Sequence, residues 1–309
     1  MKFAFLIFLS SIVCQIGRSQ FYSDLDKDFK TDSFYIKDLD MKLSNAIHHD
    51  ANAPLYLQDL QEKFSKLKMV QSLKLDLVSA KNVKDASKNL FEERKNAVWI
   101  VSKLFNSKYD TAKIVVPIAT AYSIDKSGIC VSNFHVFSEV FFPMRSRITQ
   151  KIQQDSSLFF LQNIDGDIYF IDSILAYDPI NDITVFHIRS KSADLPFIPI
   201  AKEYTIGEKV YLISHPDNNF YYLSNGIINR KYRDYVNYRI DGPYPKYIMD
   251  VSADYAIGSS GGPIMNEKGE LVGMVSSTHV ISTNPGTQYQ QQMVLKRSVP
   301  LEVIRKLLF

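Results

Sequence analysis

Glycine is distributed very unevenly along this chain, and that distribution limits what each part can fold into. None of the 12 glycines lies between residues 20 and 127, and Pro54 is the only proline before Pro117. Glycine supplies turns and close backbone approaches, and proline supplies turns. We therefore expect a front part without tight turns and a back part that is rich in them.

Residues 20–95 show the spacing of amphipathic helices. Asn52-Ala53-Pro54 fits a helix start with proline in the first turn. Apolar residues then recur every three or four positions, which forms one helical stripe: Leu57, Leu60, Phe64, Leu67, Val70 and Leu73. A shorter stripe contains Ile36, Leu39, Leu43 and Ile47, and a third helix fits residues 83–95. These patterns predict a helical N-terminal extension over residues 20–95.

The apolar stripe of this extension has to be buried, because an isolated apolar helix face in water is unfavourable. Three roles satisfy that need: a pro-segment, an element for self-association, and a clamp packed against the rest of the chain. The sequence alone does not choose among them.

The part after residue 95 has the pattern of many short β-strands. About ten apolar, β-branched runs follow one another, and the turn signals Asp165-Gly166, Asn225-Gly226 and Lys268-Gly269 separate some of them. So many short strands imply a closed barrel or a sandwich. Pro300 then begins a last amphipathic helix that carries Leu301, Ile304, Leu307 and Leu308 on one side.

The first 19 residues have the order of a secretory signal peptide. Lys2 precedes an apolar run from Phe3 to Val13, and the small residues Gly17 and Ser19 fit cleavage before Gln20. The run is too short for the about 20 residues that span a bilayer. We therefore expect export, to the periplasm or outside the cell, without stable membrane insertion. A retained membrane anchor is the alternative.

Charge and cysteine content exclude several classes of protein. The formal charge is +3, or +1 without Lys2 and Arg18, and nothing indicates the clustered basic patch of a nucleic-acid partner. Removal of residues 1–19 leaves Cys130 as the one cysteine, so an intramolecular disulfide is impossible. No metal is expected, because His48-His49-Asp50 has no third ligand at a usable spacing. No organic cofactor is expected either.

Three segments carry the chemistry of nucleophilic catalysis. In Gly258-Ser259-Ser260-Gly261-Gly262-Pro263, Ser260 is the candidate nucleophile, and the amides of Gly258 and Ser260 are candidate oxyanion donors. His135, at the end of a predicted strand, is the candidate base. Asp182, where a turn enters the next apolar run, is the carboxylate that would orient it. The chain order is thus His, Asp, Ser.

That order argues against the α/β-hydrolases. Gly258, Ser260 and Gly262 also match the G-x-S-x-G pattern of those enzymes, in which the acid and the base follow the serine. Only 49 residues follow Ser260, His279 is their one histidine, and no parallel βαβ pattern precedes the motif.

Residues 96–309 resemble the chymotrypsin-fold, trypsin-like serine peptidases, in particular the bacterial HtrA/Deg-type branch. The resemblance is carried by Ser132-Asn133-Phe134-His135-Val136, Asp182-Ile183-Thr184-Val185-Phe186 and Gly258 to Pro263. It implies a mainly β fold with a double six-stranded β-barrel, a His135/Asp182/Ser260 triad and endopeptidase activity on polypeptide substrates. The alternative is a catalytically silent or latent module that binds peptides, like a chaperone.

Three departures from the family pattern accompany the resemblance. No Ile-Val-Gly-Gly activation start is visible, and Ala256-Ile257 stands where the family has Asn-Pro. No recognisable PDZ domain is expected after the last helix. Of these departures, Ala256-Ile257 concerns the resting conformation of the oxyanion loop.

Specificity is predicted from residues near the nucleophile. Asp254 lies six residues before Ser260, where trypsin-like enzymes place the carboxylate at the bottom of the primary pocket, and it would favour Lys or Arg side chains. A solvated loop residue is the alternative reading of Asp254. By resemblance, Ser276, Ser277 and Thr278 line the pocket entrance.

Overall fold

The computed structural model describes residues 31–77, 89–106, 113–142, 157–190, 194–239, 242–283 and 291–309. The predicted signal peptide, residues 1–19, lies outside these ranges. The chain divides into two compact units, Met1–Lys37 and Asp38–Phe309. In the first unit one short helix is described, α1 (Ser33–Ile36). All elements below belong to the second unit.

Two closed antiparallel barrels form the second unit. The first contains, in the order β1-β2-β3-β6-β5-β4, the strands β1 (Val98–Asn106), β2 (Lys113–Ser123), β3 (Ile129–Ser132), β4 (Leu158–Gln162), β5 (Ile168–Asp178) and β6 (Ile183–Ile188). The other contains, in the order β10-β11-β12-β9-β8-β7, the strands β7 (Lys209–Ser214), β8 (Tyr222–Arg239), β9 (Gly242–Val251), β10 (Pro263–Met265), β11 (Leu271–Ser282) and β12 (Gln291–Pro300). The predicted double six-stranded β-barrel is confirmed.

Helices flank the barrels. They are α2 (Leu39–His49), α3 (Leu57–Phe64), α4 (Leu90–Arg94), α5 (Phe134–Phe141) and α6 (Leu301–Leu308), with 3₁₀ turns at Lys95–Ala97 and Pro216–Asn218. The predicted last helix is thus present as α6. Of the helix predicted over residues 83–95, only α4 and the following 3₁₀ turn lie in the described ranges.

The long helix predicted from Leu57 to Leu73 was wrong, because α3 ends at Phe64. Beyond it, Val70 has a left-handed φ of 57°, and its amide donates to the Tyr177 carbonyl at 2.9 Å. The amide of Leu73 likewise donates to the Leu307 carbonyl of α6 at 3.0 Å. Hydrogen bonds to the barrel and to α6 therefore replace the helical hydrogen bonds that the apolar spacing predicted.

The extension packs on the first barrel as a clamp. Leu57 and Leu60 are buried in one cluster with Trp99, Phe137 and Phe159 of the barrel and α5. A second cluster joins α2 to the barrel through Leu39, Leu43, Leu104, Leu158, Phe160 and Phe170. The clamp is therefore the role that these contacts support among the three, and self-association through the helices stays a prediction.

Replacing Leu60 by alanine should destabilise the protein by about 2–5 kcal/mol, the range for truncating a large apolar side chain in a packed core. The Leu60 side chain is 0% exposed, so its loss leaves a cavity between α3 and the barrel. Urea unfolding would measure the change. The matched control is Gln58→Ala on the exposed face of α3, for which we expect less than about 0.5 kcal/mol. Equal effects of the two substitutions would contradict the clamp.

The predicted turn at Asn225-Gly226 was wrong, because both residues lie within β8. The glycine is needed there for a close approach. A Cβ at Gly226 would lie 2.2 Å from the Ala253 amide nitrogen and 2.6 Å from the Ser252 carbonyl carbon. The backbone after β9 thus passes directly against β8.

No helix in the described ranges is both long and apolar enough to cross a lipid bilayer.

Candidate active site

His135 is delivered by a strand-to-helix junction of the first barrel. β3 ends at Ser132, Asn133 precedes α5 with an extended backbone, and His135 is the second residue of the helix. The Asn133 side-chain amide donates to the Asp182 carbonyl at 3.0 Å. This bond joins the start of α5 to the turn that carries Asp182, so the two residues are held together by the backbone around them.

Asp182 lies in a tight turn between β5 and β6. One carboxylate oxygen of Asp178 accepts hydrogen bonds from the amides of Ile180 and Asn181 at 2.9 and 3.0 Å, and the other accepts from the Asn181 side chain at 2.7 Å. Asp182 has a φ of 63°, a left-handed conformation that aspartate tolerates better than most residues. The turn leaves the Asp182 side chain 12% exposed and its carboxylate directed at His135.

The structure brings His135, Asp182 and Ser260 into one hydrogen-bonded chain. His135 Nδ1 lies 3.0 Å from each Asp182 carboxylate oxygen, and His135 Nε2 lies 3.1 Å from Ser260 Oγ. A carboxylate only accepts hydrogen bonds, so it holds the proton of a neutral imidazole on Nδ1. Nε2 is then free to accept the proton of the Ser260 hydroxyl.

The Asp182 carboxylate accepts two further hydrogen bonds. The His135 backbone amide donates to Oδ1 at 2.9 Å, and the Ser276 hydroxyl donates to Oδ2 at 2.8 Å. Ser276, predicted at the entrance of the specificity pocket, thus directs its hydroxyl to the aspartate. These donors fix the carboxylate plane against the imidazole.

Ser260 lies in the loop between β9 and β10 of the second barrel, and a residue of the first barrel holds that loop. The Thr120 amide donates to the Ser260 carbonyl at 2.8 Å, and the Thr120 hydroxyl donates to the Gly258 carbonyl at 2.9 Å. The Ser132 hydroxyl in turn donates to the Thr120 carbonyl at 2.7 Å. The candidate nucleophile and the candidate base are therefore linked across the interface between the barrels.

The amide groups of Gly258 and Ser260 donate to no protein atom in the described ranges. The Ile257 carbonyl accepts from the Asp217 amide at 2.6 Å, and the Ser259 carbonyl accepts from the Gly262 amide at 2.9 Å. In a trans peptide the carbonyl and the following N–H point in opposite directions. Both candidate oxyanion donors thus point away from those two bonds.

Glycine is required at position 258 for two reasons. Its φ of 88° lies in the left-handed region, and a Cβ there would lie 2.4 Å from the His215 carbonyl oxygen. A larger residue would push the loop away from the 3₁₀ turn that begins at Pro216. This shift would break the hydrogen bond from the Asp217 amide to the Ile257 carbonyl.

Asp254 does not lie at the bottom of a closed pocket, which corrects the prediction of a trypsin-like primary pocket. Its side chain is 86% exposed and its carboxylate is 3.6 Å from Lys296 Nζ. The next residue, Tyr255, turns inward instead, with its hydroxyl 2.9 Å from the Ser277 carbonyl. Nothing in this geometry favours Lys or Arg substrates. Ser277 and Thr278 are exposed on β11, close to Ser276.

The other titratable candidates are structural. Cys130 is fully buried, and burial raises the pKa of its thiol, which makes it the core thiol that its place in a strand predicts. His187 bonds to Asp172 at 2.8 Å and to the Ser127 carbonyl at 2.9 Å. Burial lowers the pKa of His215 to about 3, so this imidazole is neutral, and its Nδ1 accepts from the Tyr221 amide.

Sequence reasoning missed Thr120 and Asp178. Asp178 carries a usable signal, since an aspartate followed by proline and asparagine is typical of a turn closed by the aspartate side chain. Thr120 carries none, because its hydroxyl meets a loop 138 residues away in the chain.

Comparison with known proteins identifies relatives of this site. The chain is 31% identical over 134 residues to a probable periplasmic serine endoprotease, DegP-like, of Ectopseudomonas mendocina (strain ymp), covering 42% of this chain and 25% of that protein. It is 28% identical over 193 residues to the serine endoprotease DegS of Haemophilus influenzae, covering 58% and 50%. The chain thus spans between a quarter and a half of the length of these two relatives. The Deg-type branch that the motifs predicted is confirmed.

Among solved structures, an HtrA-type protease, AlgWS227A with decapeptide, is similar with a TM-score of 0.49 at 15% identity, over 70% of this chain and 64% of that one. The family model described as trypsin-like peptidase domain matches residues 119–274, just over half of the chain. The matched segment contains His135, Asp182 and Ser260. The chain therefore belongs to the trypsin-like peptidase family.

Proposed function

We propose that this chain is an exported serine endopeptidase that cleaves polypeptides through Ser260, His135 and Asp182. The observation that carries the proposal is the continuous hydrogen-bonded chain from Ser260 Oγ to His135 Nε2 and from His135 Nδ1 to Asp182, with contacts of 3.1 and 3.0 Å. A serine hydroxyl becomes a useful nucleophile when a positioned base accepts its proton. The relatives named serine endoproteases support the same activity.

In this mechanism Ser260 Oγ attacks the carbonyl carbon of the scissile peptide bond while His135 Nε2 takes the hydroxyl proton. Asp182 stabilises the imidazolium that forms. The tetrahedral intermediate collapses as the C–N bond breaks, and His135 gives its proton to the leaving amine. Water, deprotonated by His135, then releases the acyl group from Ser260.

The amides of Gly258 and Ser260 are the proposed donors to the oxyanion of the tetrahedral intermediate. They are unpaired within the described protein, as donors for a transient charge need to be. In acyl-transfer enzymes, loss of one such donor costs about 2.7–4 kcal/mol of transition-state stabilisation. The Asp217 and Thr120 hydrogen bonds to neighbouring carbonyls hold both amides in place before substrate arrives.

The proposal includes export to the periplasm or outside the cell. The signal-like order of residues 1–19 supports it, and so do relatives whose names include the word periplasmic. Fractionation of cells that express the full chain, with mass spectrometry of the mature N-terminus, would test both export and cleavage before Gln20.

The silent or latent alternative has less support. A catalytically silent module does not require the hydrogen bonds that join Asp182 to His135 and His135 to Ser260. A latent one needs a segment over the site, yet residues 38–77 make their hydrogen bonds to α5, the first barrel and α6, and none to His135, Asp182 or Ser260. Residues 38–77 thus make no hydrogen bond that would hold them over the candidate triad.

A fluorophosphonate probe tests the proposed nucleophile directly, because it reacts with activated serines and mimics the tetrahedral geometry. We expect the folded protein to be labelled once, with the adduct mapped to Ser260 by peptide mass spectrometry. Urea-denatured protein is the control and should stay unlabelled. A folded protein that is not labelled, or is labelled at another serine, would contradict the proposal.

A further inference from the structure

A small cavity of about 110 Å³ lies beside the candidate active site. Ser276 and Ser277 of β11 line it together with Arg297 of β12, and Asp234 and Lys246 of the β8–β9 hairpin line it as well. The volume suits one side chain of modest size. Its lining combines these charged and hydroxyl side chains with the apolar residues Val236, Ile248 and Val299.

Two hydrogen bonds connect the cavity to the triad. The Ser276 hydroxyl donates to the Asp182 carboxylate at 2.8 Å. Tyr247, which also lines the cavity, donates from its amide to the side chain of Asn181, the residue before Asp182, at 3.0 Å. Ser276 therefore both lines the cavity and contacts the aspartate of the proposed triad.

An open strand edge passes the cavity. β11 pairs with β12 as far as Ser282, but its other edge pairs with β10 only up to Met274. From Ser277 on, that edge has no strand partner in the part of the chain that the structure describes, and Ser277 and Thr278 are exposed. An extended peptide can add to such an edge as a further strand. A substrate strand on this edge would run alongside Ser277, which lines the cavity, so side chains near the scissile bond come within its reach.

Arg297 supplies a donor without an acceptor. Its Nε atom is buried and has no hydrogen-bond partner, and the described residues offer its guanidinium no ion pair. The cross-strand neighbour Asp250 bonds to Arg230 through Oδ2 at 2.6 Å, and its Oδ1 makes no hydrogen bond to Arg297. A buried N–H without an acceptor is costly, and a guanidinium pairs with carboxylates in a bidentate way.

The charged residues that line the cavity are Asp234, Lys246 and Arg297, and together they carry one net positive charge. Asp234 and Lys246 face each other across the hairpin, and Arg297 makes no ion pair with the described residues. A carboxylate entering the cavity would gain both this charge and the unmet Nε–H.

We propose that this cavity is a subsite for an acidic side chain of the polypeptide substrate, with Arg297 donating to its carboxylate. The assignment rests on the proposed endopeptidase function. It names the substrate class more closely: extended polypeptides with Asp or Glu near, but not at, the scissile bond. A hydrogen bond to a charged group of this kind corresponds to a preference of about 10- to 100-fold.

Cleavage of paired peptides, Glu against Gln and Asp against Asn at each position within four residues of the scissile bond, tests the subsite through kcat/KM. We expect the wild type to prefer the acid at one position by about 10- to 100-fold. Arg297→Gln should reduce that ratio to about one, and Arg297→Lys should retain part of it. The matched control, Arg233→Gln, removes an exposed arginine that does not line the cavity and should keep the full ratio.

The outcomes separate this assignment from the proposed function. Cleavage without an acid preference at any position, or a preference that survives Arg297→Gln, overturns the subsite and leaves the endopeptidase standing. If no peptide is cleaved, calorimetric binding of the same pairs to Ser260→Ala still tests the cavity. Equal affinity for acid and amide peptides there would overturn it, and tighter binding of the acid would support it.

Discussion

Replacing Ser260 by alanine is expected to lower kcat by about 10⁶ without unfolding the protein. The magnitude follows from triads in which removal of the nucleophile alone costs about as much as removal of all three residues. The substitution removes the hydroxyl that lies 3.1 Å from His135 Nε2 and leaves the loop bonds of Thr120 in place, since these involve backbone carbonyls of Gly258 and Ser260. A continuous assay on an unstructured protein such as casein would measure the loss.

The neighbouring serine provides the matched control. The Ser259 side chain is 0% exposed and its hydroxyl accepts from Ser214 at 3.0 Å, so it points into the second barrel. We expect Ser259→Ala to cost about 1 kcal/mol of stability and little activity. If Ser260→Ala retained turnover while Ser259→Ala lost it, the nucleophile would be misassigned.

The meeting of His135, Asp182 and Ser260 follows from local patterns in the sequence. Each residue lies within three positions of a strand end that its flanking apolar run makes visible. The His-Asp-Ser order distinguishes this arrangement from the α/β-hydrolases. Closure of the two barrels then restricts where the strands next to these three residues can end. This explains why short motifs were enough to predict the site geometry.

Other features depend on contacts that no local pattern reveals. The stripe from Leu57 to Leu73 is helical in spacing, yet the chain leaves the helix at Phe64 because the amides beyond it find carbonyl partners in Tyr177 and Leu307. Gly226 resembles a turn glycine but serves a close backbone approach inside β8. In both cases tertiary contacts outweigh local preference.

Specificity was the least predictable part for the same reason. The offset of Asp254 from Ser260 says where the residue lies along the chain, but not that Tyr255 would turn inward and leave Asp254 in solvent beside Lys296. Arg297 carried no signal at all, because its importance depends on a cavity built from four strands. Pocket chemistry thus requires the assembled barrel.

Replacing Asp182 by asparagine is expected to lower kcat by about 10⁴, the loss seen when the orienting carboxylate of a triad becomes an amide. Three groups donate to the Asp182 carboxylate: the His135 amide, His135 Nδ1 and the Ser276 hydroxyl. An asparagine has one acceptor oxygen and an NH₂ group that must face a donor or the imidazole. If the NH₂ faces Nδ1, the imidazole proton moves to Nε2, which then cannot accept the proton of Ser260.

The chain contains a matched pair that controls for the loss of a carboxylate beside a histidine. Asp172 bonds to His187 Nδ1 at 2.8 Å in the same barrel, and neither residue contacts Ser260. We expect Asp172→Asn to leave kcat within about threefold of the wild type, because the pair does not contact Ser260. The loss of a partly exposed ion pair also lowers stability by at most about 1 kcal/mol, so the protein stays folded. Fluorophosphonate labelling rates would give the comparison independently of substrate choice. Similar losses in both variants would mean that Asp182 supports the barrel rather than the imidazole, whereas a 10⁴-fold loss confined to Asp182→Asn identifies the carboxylate that sets the tautomer of His135.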